Sequence, residues 1–255
     1  MTTAPTAAVL IIGNEILSGR TVDANLNYLA VQLSQKGILL REARVIPDVR
    51  EVIVATVNEL RAKFTYIFTT GGIGPTHDDI TAACVAEAFG LPLVRHPDAV
   101  ARLDEYYKGL NDTLTEIRLR MANMPEGATL LENPVSGAPG FKIGNVHVLP
   151  GVPRILRGIF DLLLPSLAGG PPVVSRTVGS FLKESEIAVQ FEVIQNEYPQ
   201  LDLGSYPSLR DGKPYTSLVA KGTDEAAVEA AFAKIFEMVK ALGGTPEVVD
   251  AKATA

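Results

Sequence analysis

The sequence predicts an α/β protein. A three-layer, mostly parallel sheet comes first, and a small α+β unit of βαββα order follows. Three observations carry this. Short apolar runs alternate with segments of helical periodicity through Gly90. The first and third of these runs end in glycine, at Gly13 and Gly71. The Gly/Pro-rich stretch Ala168-Gly169-Gly170-Pro171-Pro172 then separates a block of different texture. The expected domains are residues 1–168 and 172–255.

The first strand is the continuous apolar run Ala7 to Ile12, the signature of a strand covered on both faces. Asp23 can cap a helix carrying Leu26, Leu29, Ala30 and Leu33 at helical spacing, stopped at Gly37. Ile38 to Val45 is the second strand. Asp48-Val49-Arg50-Glu51 has the form of a capping box opening a helix through Ile53, Val57 and Leu60. Tyr66 to Thr70 is the third strand, and a helix from Ile80 to Phe89 stops at Gly90. Two further helices are expected, at Pro97 to Lys108 and from Thr113 through Met121. Short β pieces follow at Thr129–Leu131, Phe141–Ile143 and Val146–Leu149. Pro153 then opens a helix with Ile155, Leu156, Ile159 and Phe160. Beyond the linker come a strand (Val173–Phe181), a helix (Ser185–Glu197), two strands (Leu201–Tyr206, Tyr215–Lys221) and a helix (Asp224–Leu242). A frayed tail is expected from Thr245.

Hydrophobic residues make up 47% of the 255 residues, enough for a substantial core, which excludes a disordered chain. The formal net charge of −6 lacks the electrostatic footprint of a duplex-binding protein. It favours small-molecule ligands, or anionic ones neutralised by a metal. The single cysteine, Cys84, excludes an internal disulfide and fits a reducing compartment. The absence of a basic leader or a long apolar stretch points to the cytoplasm.

Chemistry concentrates at Thr69-Thr70-Gly71-Gly72-Ile73-Gly74-Pro75-Thr76-His77-Asp78-Asp79-Ile80-Thr81, between a strand and a helix. In an open parallel sheet the ligand crevice lies at the carboxyl ends of the strands. Glycines there let the backbone approach a ligand and present its N–H groups, and the next helix adds its positive end. Gly71, Gly72 and Gly74 are the phosphate-binding candidates. An N-cap needs one carboxylate, whereas Asp78 and Asp79 supply two. Two carboxylates beside a phosphate repel it unless a divalent cation lies between, and Mg²⁺ is typically held by one or two carboxylates plus phosphate oxygens. Glu15 and Asp48 follow the first two strands, and Asp23 and Asn25 lie at the first helix start. Carboxylates thus gather along one sheet edge. Glu15 and Asp48 are candidates for placing the metal or the attacking water, and Asn25 for the nucleotide. Gly13 to Arg20 is not a P-loop, because its second glycine falls one residue late and arginine replaces lysine. No Gly-x-Ser-x-Gly elbow is present. His147 and Cys84 read as structural.

Gly13-Asn14-Glu15-Ile16-Leu17-Ser18-Gly19-Arg20 with Asp23 and Asn25, the Thr69–Thr81 loop, Gly137-Ala138-Pro139-Gly140-Phe141 and Leu149-Pro150-Gly151-Val152-Pro153 together resemble the CinA (competence/damage-inducible protein A) family. Lys183 to Ile187 and Gly204 to Pro207 resemble that family's KH-like middle domain, so the likeness covers nearly the whole chain. It implies a molybdopterin-binding-like first domain, shared with molybdopterin adenylyltransferases and FAD synthases. It also implies a nucleotide pocket at the strand ends, formed with Asn14, Thr70, Pro150 and Gly151. Asp79 matches the metal-supporting aspartate of the adenylyltransferases, and Asp48 a second acidic position.

The activity implied is hydrolysis of ADP-ribose to AMP and ribose phosphate with Mg²⁺, Mn²⁺ or Co²⁺. The alternatives are a molybdopterin-binding adenylyltransferase or a non-catalytic nucleotide-binding module. The expected partner is an adenine nucleotide or molybdopterin-like molecule, with neither membrane nor nucleic acid, since no Gly-x-x-Gly loop accompanies the KH-like unit. A homo-oligomer is also expected. The family's nicotinamide mononucleotide deamidase domain has no counterpart in this sequence.

Overall fold

A computed structural model of the chain describes residues 4–249 and divides after Gly170 into two units. The first is built on a six-stranded sheet of order β2-β1-β3-β8-β7-β6. Strands β1 (Thr6–Ile12), β2 (Leu39–Ile46), β3 (Tyr66–Thr70) and β8 (Val146–Leu149) run parallel. Strands β7 (Gly140–Ile143) and β6 (Thr129–Leu131) add an antiparallel edge. The α/β architecture with a mostly parallel sheet is therefore as expected.

The apolar run of β1 serves two cores. Ala8, Leu10 and Ile12 pack on one face with Ile53, Val57, Leu60 and Val85. Ala7, Val9 and Ile11 pack on the other with Leu29, Leu33, Leu156 and Phe160. Alternation of side chains across a strand makes both faces apolar only when both are covered. Helices α3 (Arg50–Lys63) and α4 (Thr81–Ala88) supply the first face. Helices α2 (Asn25–Gln35) and α7 (Pro153–Leu163) supply the second. A short α1 (Asn14–Leu17) interrupts the passage from β1 to α2.

Two expectations need correction in this unit, and one small sheet was not expected. Asp48 does not cap α3, whose N-cap is Val49 without a side-chain bond. Its carboxylate is engaged elsewhere, as described below. The helix expected from Thr113 is a single turn, α6 (Glu116–Leu119), capped by Thr115 through the N–H of Arg118, and it passes into a 3₁₀ turn. Ile117 is 64% exposed, so no apolar face holds a longer helix in place. Strands β4 (Leu93–Arg95) and β5 (Asn123–Pro125) form a two-stranded antiparallel sheet beside α4, and three residues are too few to alternate visibly; α5 (Pro97–Gly109) follows β4.

The second unit is a four-stranded antiparallel sheet of order β10-β11-β9-β12. Its elements are β9 (Val174–Ser180), α8 (Glu184–Glu197), β10 (Asp202–Arg210), β11 (Lys213–Gly222), α9 (Glu225–Ala241) and β12 (Glu247–Val249). The Glu186 carboxylate accepts the Lys183 N–H at the start of α8, and Asp224 caps α9 through the Ala227 N–H. Asp211 and Gly212, at φ 52° and 72°, make the tight turn joining β10 to β11. The core gathers Val178, Ile187, Leu218, Val228, Ile235 and Val239. The expectation of a tail frayed from Thr245 fails at Glu247–Val249, which pair with β9 as β12. Residues 250–255 lie outside the described residues.

Candidate functional site

The β3–α4 turn is shaped by contacts that only glycine permits. Gly71 and Gly72 have φ of 99° and 68°. A Cβ on Gly71 would lie 2.3 Å from Ile12 O, and one on Gly72 would lie 2.1 Å from Thr81 Oγ1. The backbone therefore packs directly on the end of β1 and the start of α4. Gly151, after β8, rests on Gly71, where its Cβ would be 3.4 Å from the Gly71 Cα. Thr70 is buried beneath the turn. The Gly71 N–H donates to Leu149 O at 3.1 Å, which corrects the expectation that it faces a phosphate. Gly72 and Gly74 have no such commitment among the described residues.

Two carboxylates lie over glycines of this rim. Asp79 accepts the Thr76 N–H at 2.8 Å, and a Cβ on Gly74 would lie 2.6 Å from its Oδ2. Glu15 folds over Gly13 in the same way, with Oε1 2.5 Å from the place of a Cβ. The Thr76 hydroxyl faces both Asp78 and Asp79 and holds the Asp78 carboxyl below the usual carboxylate range. Neither aspartate caps α4, whose N-cap is Ile80 with no side-chain bond. Their chemistry is left for something other than the helix.

A cleft of about 470 Å³ brings together Glu15, Gly71, Gly72, Gly74 and Asp79, with Pro150 and Gly151 on the facing loop. Among the described residues, no lysine, arginine or histidine lines it. The other expected residues lie outside this lining. Asp48 accepts the Asn14 N–H at 2.8 Å. Asp23 caps α2 by accepting the N–H groups of Asn25 and Leu26. Asn25, 3% exposed, donates its Nδ2 to Gly151 O at 2.8 Å and so holds the β8–α7 loop rather than facing the cleft. Thr70 and Asp78 also lie outside the lining.

The cleft has members the sequence reading missed. Tyr106 and Tyr107 of α5 and Met121 form an apolar wall opposite the glycines, and Ser136 to Ala138 close one side. An aromatic doublet inside the polar stretch Asp104–Lys108 was the available signal. The Arg118 guanidinium lies 4.0 Å from the Tyr107 ring centroid. Arg120 donates to Pro75 O at 3.3 Å and lines a small gap shared with Gly74 and Asp79, bracing the glycine loop from behind.

Among the described residues, no three His, Cys, Asp or Glu side chains are placed to hold a metal, and none of the helices is long and apolar enough to cross a membrane. Cys84 is buried in α4, and burial pushes its thiol up to about 11, so it is not a nucleophile at neutral pH.

Residues 8–169 match the family model described as a probable molybdopterin binding domain, and residues 172–244 match the middle domain of FAD synthase. A protein of Pyrobaculum calidifontis is 36% identical over 252 residues, covering 92% of this chain and 96% of that one. A protein of Aeropyrum pernix is 34% identical over 257 residues, covering 94% and 96%. Among solved structures, the protein CinA with unknown function from Thermoplasma acidophilum is 33% identical. It aligns with a TM-score of 0.58 over 63% of this chain and 98% of that one.

Proposed function

The chain belongs to the family of the probable molybdopterin binding domain, and from that premise we propose that it is a CinA-like, divalent-cation-dependent nucleotide pyrophosphatase cleaving nucleotide diphosphate sugars, ADP-ribose first, into AMP and a phosphorylated sugar. One observation supports this above the rest. Glu15 and Asp79 share a cleft with the amides of Gly72 and Gly74, and among the described residues no basic side chain lines it. A diphosphate entering that cleft meets donors suited to its oxygens and two carboxylates that repel it. A divalent cation relieves the conflict.

The donor set fits such an ion. Both side chains offer hard oxygen ligands. Mg²⁺ and its relatives are commonly held by one or two carboxylates, with water and substrate phosphate completing the shell. Asp79 is the principal holder in this reading, with Asp78 next to it on the Thr76 hydroxyl. When bound, the cation neutralises the diphosphate and polarises the phosphorus under attack.

The chain's own groups do the rest. Gly72 and Gly74 orient the phosphates through N–H bonds, and the start of α4 favours their charge. Glu15 takes the proton of the attacking water. The water oxygen bonds to the sugar-side phosphorus as that atom's bond to the bridging oxygen breaks, so AMP leaves with the bridging oxygen and the other phosphate stays on the sugar. Tyr106, Tyr107 and Met121 supply the apolar wall that a flat base requires.

The test is AMP release from ADP-ribose by the purified chain with Mg²⁺, Mn²⁺ or Co²⁺. Asp79→Asn is expected to reduce the rate at least ~100-fold, in the range seen when a key electrostatic group is removed. Chelation should abolish it. No AMP with any of the three metals sinks the reading. The second reading, adenylyl transfer to molybdopterin, takes its ligand from the family description, and adenylated product from ATP plus molybdopterin would establish it instead.

A further inference from the structure

A cavity of about 430 Å³ opens between the antiparallel edge of the first sheet and the C-terminal half of α7, and it shares no lining residue with the glycine cleft. Its size falls within the range of small-molecule sites. The floor is a row of side chains across three strands. Thr129 of β6 stands opposite Lys142 of β7, and Lys142 stands opposite His147 of β8. Residues directly opposite share one face of a sheet, so the three project the same way. Phe68 of β3 lies behind His147, with ring centroids 5.0 Å apart. The walls are apolar, built from Leu131 and from Ile159, Leu162 and Leu163 of α7.

Most polar groups of this lining are already committed. The Tyr66 hydroxyl donates to Ala168 O at 3.1 Å and accepts the Ala168 N–H at 3.0 Å. The Ser166 hydroxyl donates to Leu163 O at 2.7 Å. Glu132, the one carboxylate among the lining residues, takes both terminal nitrogens of Arg102 at 2.6 and 2.7 Å. The Lys142 ammonium is therefore the uncompensated charge of the lining, and it lies at an exposed position.

His147 supplies the second unmet group. Its Nδ1 lies 3.3 Å from Ile67 O, so the ring proton belongs there and Nε2 carries a bare lone pair. The residue is 0% exposed, and Nε2 has no partner among the described residues. Burial, and then the charge of Lys142, push the imidazole down to about 4, which keeps the ring neutral and Nε2 an acceptor at pH 7. A buried acceptor without a donor is costly, and a ligand that brings the donor relieves that cost.

The geometry points to a second small-molecule site, in which an apolar carboxylic acid lays its ring against Leu131, Ile159 and Leu163, donates an O–H or N–H to His147 Nε2, and sets its carboxylate on Lys142. A single ammonium with no cluster of backbone amides suits a monoanion rather than a diphosphate. The site stands independently of the reaction assigned to the glycine cleft.

Three probes test it by titration calorimetry on the full chain: 4-hydroxyphenylacetate, phenylacetate, which lacks the donor, and 4-hydroxyphenylethanol, which lacks the charge. The first should bind in the low-millimolar range or tighter, and each of the others about 3- to 10-fold more weakly. His147→Phe should equalise 4-hydroxyphenylacetate and phenylacetate while preserving the preference over 4-hydroxyphenylethanol. Lys142→Gln should do the reverse. Leu162→Trp, at an exposed position of the lining, should block the cavity and abolish binding with Tm unchanged. No measurable binding of 4-hydroxyphenylacetate to the native chain overturns the proposal. So does equal binding of the three probes, or binding that Leu162→Trp leaves intact. The comparison of probes on the native chain decides the matter even where a variant is unstable.

Discussion

The Asp48 carboxylate accepts the main-chain N–H of Asn14 at 2.8 Å, tying the end of β2 to the loop that follows β1. Asn14 directly precedes Glu15, so this bond sets where Glu15 enters the cleft. Asp48 is thus a positioning residue, one step removed from the substrate.

Asp48→Ala removes the acceptor and frees the start of α1. A single hydrogen bond to a charged group contributes about 1.5–3 kcal/mol at most, and less when half-exposed as here. Thermal stability should fall by only a few degrees (about 2–4 °C per kcal/mol for a chain of this size). AMP release should fall about 10-fold, because Glu15 loses its fixed approach. Asp48→Asn keeps an acceptor oxygen and should recover most of the rate. Equal activity of Asp48→Ala and the native chain would remove the positioning role.

Gly72→Ala meets two obstacles. Its φ of 68° strains any residue with a Cβ, and that Cβ would lie 2.1 Å from Thr81 Oγ1. Strain of this kind costs about 1–3 kcal/mol. Thr81→Ala in the same chain removes the colliding hydroxyl but not the backbone strain, so partial recovery is expected. Urea unfolding of the two single variants and the double variant measures the coupling. Simple additivity would show that the contact is not what forbids alanine.

The fold was legible where periodicity is long. β1, α2, α7 and α9 each carry enough apolar positions to declare both period and face, and each appears within a residue or two of its expected bounds. The rim glycines and the acidic pair were legible because two aspartates exceed what a cap requires. Asp48 was misread because a carboxylate before a helix has the same sequence whether it caps that helix or reaches the loop of a neighbouring strand. Tyr106 and Tyr107 were missed because α5 reads as a surface helix, and only the tertiary arrangement of its loop neighbours turns that face into a wall. Strand β12 was missed because its three residues owe their conformation to pairing with β9 rather than to their own pattern.

His147 gives the chain a built-in acid sensitivity. It sits on β8, opposite Phe68 of β3, and is 0% exposed. Its ring centroid lies 5.0 Å from that of Phe68, and Nδ1 lies 3.3 Å from Ile67 O, the geometry of a neutral ring donating through Nδ1–H. Nε2 has no partner among the described residues. Burial, and then the charge of Lys142, push the imidazole down to about 4 from its ordinary 6.5. The unfolded chain therefore takes up a proton at a higher pH than the folded chain does. Stability is lost as pH falls from about 6.5 to about 4, and the loss is complete below the folded value. The difference corresponds to about 3 kcal/mol. Carboxylates add their own acid dependence, so the informative quantity is the difference between the native chain and His147→Phe, which keeps the ring and loses the titration. Melting temperatures of the two should run parallel above pH 7 and converge or cross between pH 6.5 and 4, the native chain falling faster. Parallel curves through that whole window would show that the ring is not held neutral by its surroundings.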